Sequence, residues 1–143
     1  MNCLDNIENL IEEFLIDFII SKGSGEIWNK KTPPEDYDFN VIVSPLLDDF
    51  AVPFLDYFEM NSAWVKTIHQ SPGEMYIMHR DVGYKGNRHY IFLQDQMPGQ
   101  FFNLSGKDIK WKKGDVYSWD DTVYHCSANA GLHSKISLTI SDS

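Results

Sequence analysis

The segment His79-Arg80-Asp81 places an imidazole and a carboxylate two residues apart, so on a regular strand both point to the same face. A second imidazole, His125, stands further along in another β-like run. Two neutral nitrogens and one carboxylate oxygen on one face make the facial triad of non-haem Fe(II) sites, which leaves the opposite metal positions open to substrate and O₂. The tripeptide carries little by itself. With five histidines in 143 residues, a His-x-Asp arises by accident in roughly every second such chain. Position adds the information: His79 and Asp81 close an apolar run just before the Gly83/Gly86 turn, and His125 follows a strand start at Gly114-Asp115 and the run Trp119-Asp120-Asp121. The three residues alone read equally well as surface or core-satisfied side chains.

Lys135 shifts that balance. It lies ten residues after His125, one strand on in an antiparallel meander, where its ammonium can reach the floor of the same barrel. A buried cation is costly unless an anion pairs with it, and a dicarboxylate co-substrate would supply one. Ser137 shares the face of Lys135 and can donate to the same carboxylate.

The elements that must hold these residues fall into two parts. From Leu4 to Ile20 the apolar residues Leu4, Ile7, Leu10, Ile11, Phe14, Leu15, Phe18 and Ile19 form the stripe of an amphipathic helix, ended by Gly23 and Gly25. A polar loop around Pro33-Pro34 follows. Ser44-Pro45 then offers an N-cap and first-turn pair for a second helical segment to Met60, which Pro53 is expected to break or kink. From Trp64 onward, short runs rich in Val, Ile, Tyr, Phe and Trp alternate with turn signals such as Pro72-Gly73, Pro98-Gly99, Gly106, Gly114 and Gly131. Strands are expected near 64–69, 75–81, 88–95, 100–105, 115–119, 123–128 and 134–141. This is the pattern of a mainly β protein: a double-stranded β-helix, the cupin-like jelly roll, over residues 61–143, with residues 1–60 as helical support in one single domain.

Composition narrows the function classes. A formal charge of −9 argues against a nucleic-acid surface, which needs clustered Lys and Arg to displace counterions. Two cysteines, Cys3 and Cys126, cannot build a disulfide framework. Asp5, Glu8, Glu12 and Glu13 stand where a signal peptide requires basic residues, so a reducing cytoplasm is expected. The longest apolar stretch, Phe14 to Ile20, is interrupted by Asp17 and is far short of the ~20 residues of a membrane span. A small-molecule or peptide substrate is the expected partner, with no membrane.

The run Pro72-Gly73-Glu74-Met75-Tyr76-Ile77-Met78-His79-Arg80-Asp81, the distal His125, then Gly131 and Lys135, resembles the Fe(II)/2-oxoglutarate-dependent dioxygenases, and among them the prolyl 4-hydroxylase-like branch. The resemblance covers Trp64 to Ile140, about half of the chain. It implies that His79, Asp81 and His125 bind Fe(II), that Lys135 binds the distal carboxylate of 2-oxoglutarate, and that O₂ is the second co-substrate. A lysine there is similar to the prolyl hydroxylases, whereas most relatives carry arginine. The implied reaction couples decarboxylation to succinate and CO₂ with hydroxylation of a C–H bond, and Asp81 as ligand leaves no vacancy for the chloride of halogenating relatives. Arg88 resembles an arginine that aspartyl/asparaginyl hydroxylase-like members use on 2-oxoglutarate, with Tyr90 on its strand face. Arg88 reads equally as a strand-end surface residue.

Gln70 departs from the pattern, since many prolyl hydroxylases have there a tyrosine that touches 2-oxoglutarate. Tyr76, three residues before His79, faces away by strand parity unless a bulge intervenes. Trp119 and Phe92 read as barrel filler, Cys126 as a packed thiol, and His69, His89 and His133 as polar or hydrogen-bonded residues. Arg80 and Tyr84 flank the expected metal entrance. Two other readings stand beside the oxygenase. One is a cupin-like metal enzyme that does not use 2-oxoglutarate, against which the lack of a His-x-His counts. The other is a non-catalytic ligand-binding relative, against which the complete triad plus Lys135 counts. The iron and co-substrate residues do not read the primary substrate, so a prolyl or peptidyl group and a small molecule stay equally open.

Overall fold

The computed structural model describes residues 3–22, 25–28, 52–60, 63–81 and 86–142. Its strands are β1 (Asp5–Asn6), β2 (Gly25–Trp28), β3 (Ala63–Gln70), β4 (Met75–His79), β5 (Arg88–Phe92), β6 (Gln100–Leu104), β7 (Lys107–Asp108), β8 (Asp115–Trp119), β9 (His125–Asn129) and β10 (Lys135–Asp142). They form two antiparallel sheets, one ordered β1-β8-β5-β10-β3-β2 and the other β4-β9-β6-β7. From β3 to β10 the chain passes back and forth between the sheets, with β6 and β7 as a hairpin in the smaller one, and the result is the double-stranded β-helix. Each of the seven strands expected from the sequence is present, most to within two residues at either end.

The larger sheet buries both faces, each against a different layer. Its outer face carries Val65, Ile91, Leu93, Val116, Leu138 and Ile140, covered by helix α1 (Glu13–Lys22) through Leu15, Ile16 and Ile19 and by Phe54 and Leu55 of a helical stretch over 52–57. Its inner face meets the smaller sheet across Ile68, Tyr90, Phe92, Phe102, Leu104, Trp111, Tyr117 and Trp119. Strand β10 divides its residues between these faces by the period of two. Ile136, Leu138 and Ile140 enter the outer core, while Lys135, Ser137, Thr139 and Ser141 form a buried polar row opposite. That row is the floor on which a site can be built.

The N-terminal half differs from the expected helices. Of the stripe from Leu4 to Ile20, Ile7, Ile11, Leu15 and Ile19 are buried, as is Ile16 outside it, while Leu4 and Phe14 are exposed, and only its second half is helical. Asp5 and Asn6 pair with Val116 and Asp115 of β8, and Glu8–Leu10 form a 3₁₀ turn. Asn6 fixes this arrangement, its amide donating to the Lys113 carbonyl at 2.8 Å and to Asp115 Oδ1 at 2.9 Å. Side-chain competition of this kind diverts the backbone from a helix. Residues 25–28, expected as loop, extend the sheet beside β3. The helix expected from Ser44 lies outside the described residues up to 51, and helical structure continues past Pro53 to residue 57.

One barrel end is closed by a backbone crossing. Gly99 has φ +85°, and a Cβ there would lie 2.6 Å from the Gly131 nitrogen. Glycine is required on both counts, conformation and space. No described helix is long and apolar enough to cross a membrane.

Candidate metal centre

Strand β4 reaches the centre through an irregularity. Tyr76 pairs with Ser127 and His79 with His125, so β4 advances three residues while β9 advances two. The extra residue is a β-bulge, which reverses the parity of everything beyond it. Tyr76 and His79 therefore line the same inner cavity, together with Asp81, Arg88, Tyr90, Trp119, His125 and Ser127. The parity argument that turned Tyr76 away is overturned by this bulge.

The triad itself assembles from three places. His79 ends β4, Asp81 lies just past the strand, and His125 opens β9. One ligand atom from each lies within 4.8 Å of the others. His79 Nδ1 faces the Ile77 carbonyl at 2.6 Å and His125 Nδ1 faces the Val123 carbonyl at 3.2 Å. Carbonyls only accept, so both Nδ1 atoms carry the hydrogen and both Nε2 atoms turn toward Asp81. His79 Nε2 lies 3.5 Å from Asp81 Oδ1, and His125 Nε2 lies 3.3 Å from Oδ2. Three converging acceptors are satisfied by an added proton or by one cation bridging all of them. Two imidazoles and a carboxylate suit a divalent transition metal such as Fe(II), so the residues present fit the ion that the triad implies. Burial opposes ionisation of Asp81. Where protons rather than a cation occupy the Nε2 atoms, the His125 hydrogen bond and the charges of Arg88, His125 and His79 outweigh it and hold the carboxyl down at about 2.

Arg88 sits on this carboxylate, its Nη1 donating to Asp81 Oδ2 at 2.5 Å. Trp119, its cross-strand partner on β8, packs its ring 5.1 Å from that of His125. The tryptophan expected as filler is thus both core and a wall of the centre, a dual role that strand pattern alone does not signal.

Deeper in the barrel, Lys135 is only 2% exposed. Its Nζ lies between 5.3 and 5.8 Å from the ring centres of Trp111, Phe102, Phe92 and Tyr90. Its hydrogen bond runs to the Tyr90 hydroxyl at 3.4 Å, which in turn donates to Ser137 Oγ at 2.7 Å. Among the described residues no carboxylate pairs with Lys135. Burial lowers its pKa to about 7 and holds the Tyr90 phenol well above its ordinary range, so Tyr90 stays a donor. Gln70, opposite Lys135 in the β3–β10 register, is fully buried, with its Nε2 3.4 Å from the Ser127 carbonyl and its Oε1 without a hydrogen-bond partner.

The remaining candidates lie apart from this row. His69 bonds Ser134 Oγ at 2.9 Å, His89 bonds Ser118 Oγ and stacks on Phe58, and His133 is exposed. Arg80 stands over the Tyr124 ring at 5.9 Å, Cys126 is half-buried, and Tyr84 lies outside the described residues. The cavity beside the triad holds about 40 Å³. A groove of about 350 Å³ adjoins it, sharing Lys66, Tyr76 and His79 and adding Met75 and Ile77.

No family model matches the sequence, and no curated protein matches it. Solved structures do match. A prolyl-4-hydroxylase from Pseudomonas putida superposes with a TM-score of 0.66 at 13% identity, over 99% of this chain and 90% of that one. A cupin superfamily protein from Desulfitobacterium hafniense gives 0.44 at 18% identity, over 57% of this chain and 67% of that one. A protein from Photorhabdus luminescens gives 0.46 at 14% identity and covers 57% of this chain, which spans 62% of the length of that structure. At 13% identity the likeness to the prolyl-4-hydroxylase is one of fold.

Proposed function

We propose that the chain is an Fe(II)- and 2-oxoglutarate-dependent oxygenase that hydroxylates a C–H bond of a prolyl, peptidyl or small-molecule substrate. The observation that carries this reading is Lys135: a cation buried under four aromatic rings, with a neutral phenol as its hydrogen-bond partner, on the inner face of the larger sheet, across the barrel from the strands that carry His79 and His125. Such a residue costs folding free energy unless a ligand brings it an anion. A linear dicarboxylate meets that need, with Lys135, Ser137 and Tyr90 on the carboxylate remote from the metal. The surrounding rings exclude water and strengthen the ion pair. The superposition with a prolyl-4-hydroxylase over nearly the whole chain supports the same reading at the level of fold.

His79, Asp81 and His125 would hold the iron, with the histidine Nδ1 hydrogens anchored on backbone carbonyls so that both Nε2 lone pairs stay aimed. The bound iron would supply O₂ activation, with decarboxylation of 2-oxoglutarate to succinate giving the additional two electrons. Tyr76 and Trp119 would wall the reacting space, and the groove beside Met75 and Ile77 would take the body of the substrate.

One observation favours a second reading. About 40 Å³ beside the triad admits a water but not a five-carbon diacid without side-chain movement. A cupin-type metal enzyme acting on a smaller ligand needs no such movement. The two readings part in one experiment, in which anaerobic protein is mixed with Fe(II) and 2-oxoglutarate. The oxygenase gives a visible metal-to-ligand charge-transfer band that Lys135→Ala weakens. No band in the wild-type protein, with Lys135→Ala and wild type equal in 2-oxoglutarate affinity, overturns it. Succinate release across peptides, amino acids and methylated bases then addresses the substrate.

A further inference from the structure

We infer that Arg88 is a positioning residue for the metal centre: its guanidinium engages Asp81 Oδ2 and so leaves Oδ1 as the oxygen offered to the metal. This rests on the metal half of the proposed function and is independent of the co-substrate. Three observations carry it. Asp81 lies beyond the end of β4 and outside the described strands, in contrast to His79 and His125, which are strand residues paired with one another. Arg88 opens β5, held between Trp119 of β8 and Ser141 of β10, and is therefore the rigid member of the pair. The guanidinium contact falls on one oxygen of the two, Oδ2.

The same cross-strand pair supports two of the three ligands. Arg88 fixes the carboxylate, and Trp119 packs on the His125 ring. A carboxylate with one oxygen held by a guanidinium cannot turn to give both oxygens to an ion, which preserves a coordination position for a ligand. The position of Arg88 also separates this role from a contact with the dicarboxylate. It meets the triad at its Asp81 corner, whereas Lys135, Tyr90 and Ser137 make a separate cluster.

Electrostatics alone predicts the opposite outcome, and this makes the assignment testable. A cation beside a divalent metal repels it, so an arginine without a positioning role should weaken metal binding, and its removal should strengthen it. The experiment titrates Co(II), without 2-oxoglutarate, into wild type and Arg88→Gln, reading affinity by calorimetry and geometry by the visible d–d spectrum. Positioning predicts about 10- to 100-fold weaker binding in Arg88→Gln, the range for residues that orient metal ligands, together with an altered spectrum. Equal or tighter binding with the wild-type spectrum overturns the assignment, and so does an effect confined to 2-oxoglutarate affinity. Should Arg88→Gln fail to fold by circular dichroism, Arg88→Met carries the same comparison. Wild-type protein that binds no Co(II) refutes the triad and this inference together. Wild-type protein that binds Co(II) but gives no charge-transfer band with Fe(II) and 2-oxoglutarate refutes only the co-substrate.

Discussion

Replacing Lys135 by Met should make the ligand-free protein more stable while destroying its binding of a dicarboxylate. The ammonium is 2% exposed and has no carboxylate partner among the described residues, and its pKa falls from the ordinary 10.5 to about 7. The sign follows from linkage. Between the two pKa values the unfolded chain binds more protons than the folded one, so stability rises with pH across that window. The electrostatic penalty is largest below pH 7, where the folded state must hold the charge. Integration over the shift gives a cost of about 4 kcal/mol at pH 7 and about 2 kcal/mol at pH 9. Methionine has a similar shape and no charge, and the four surrounding rings can pack against it. Urea unfolding of both proteins at the two pH values isolates the residue, because other titrating groups cancel in the comparison. The gap between them should shrink by about 2 kcal/mol from pH 7 to pH 9. Ligand binding runs the other way: a dianion needs the charged lysine, so 2-oxoglutarate affinity in the wild type should fall about 50-fold over the same range. A Met variant that is less stable at pH 7, or an affinity flat from pH 7 to pH 9, would refute the reasoning.

Tyr90→Phe removes the hydroxyl that joins Lys135 to Ser137, and calorimetry should show 2-oxoglutarate binding weakened by about fivefold, the worth of one hydrogen bond of about 1 kcal/mol. Gly99→Ala combines a left-handed backbone with a Cβ 2.6 Å from the Gly131 nitrogen, so it should cost more than about 2 kcal/mol and lower Tm by several degrees in a thermal scan, leaving Co(II) binding intact if the protein folds. Trp119→Leu should loosen His125, seen as weaker Co(II) binding with little change in the 2-oxoglutarate dependence on pH.

The strands after residue 63 were legible because glycine and proline turns cut the sequence into runs whose alternation matches two packed faces, and the polar row Lys135, Ser137, Thr139, Ser141 is the clearest instance. The convergence of His79, Asp81 and His125 was legible through their positions at strand ends. What escaped depended on contacts distant in sequence. The apolar stripe of residues 4–20 correctly marked Ile7 and Ile11 as buried, yet pairing of Asp5 and Asn6 with β8 overrode helix there. Periodicity reported burial, and conformation was decided by a partner more than a hundred residues away. β2 and β7 are short strands on the sheet edges whose pairing is likewise tertiary. Arg88 on Asp81 and Trp119 on His125 needed the β5–β8 register, which no local signal carries.

The bulge in β4 makes chain length, as well as residue type, a determinant of this centre. Tyr76 and His79 face one cavity because β4 holds one residue more than β9 across that interval. Removing Ile77, a side chain 72% exposed, would delete little buried surface and let the two strands pair regularly. The same loss would leave His79 opposite His125 and on the face of Tyr76, because two residues on each strand would then separate the two pairs. What the extra residue supplies is therefore the bend and added twist of β4 just before His79, so a deletion there should change the aim of the imidazole while keeping its register.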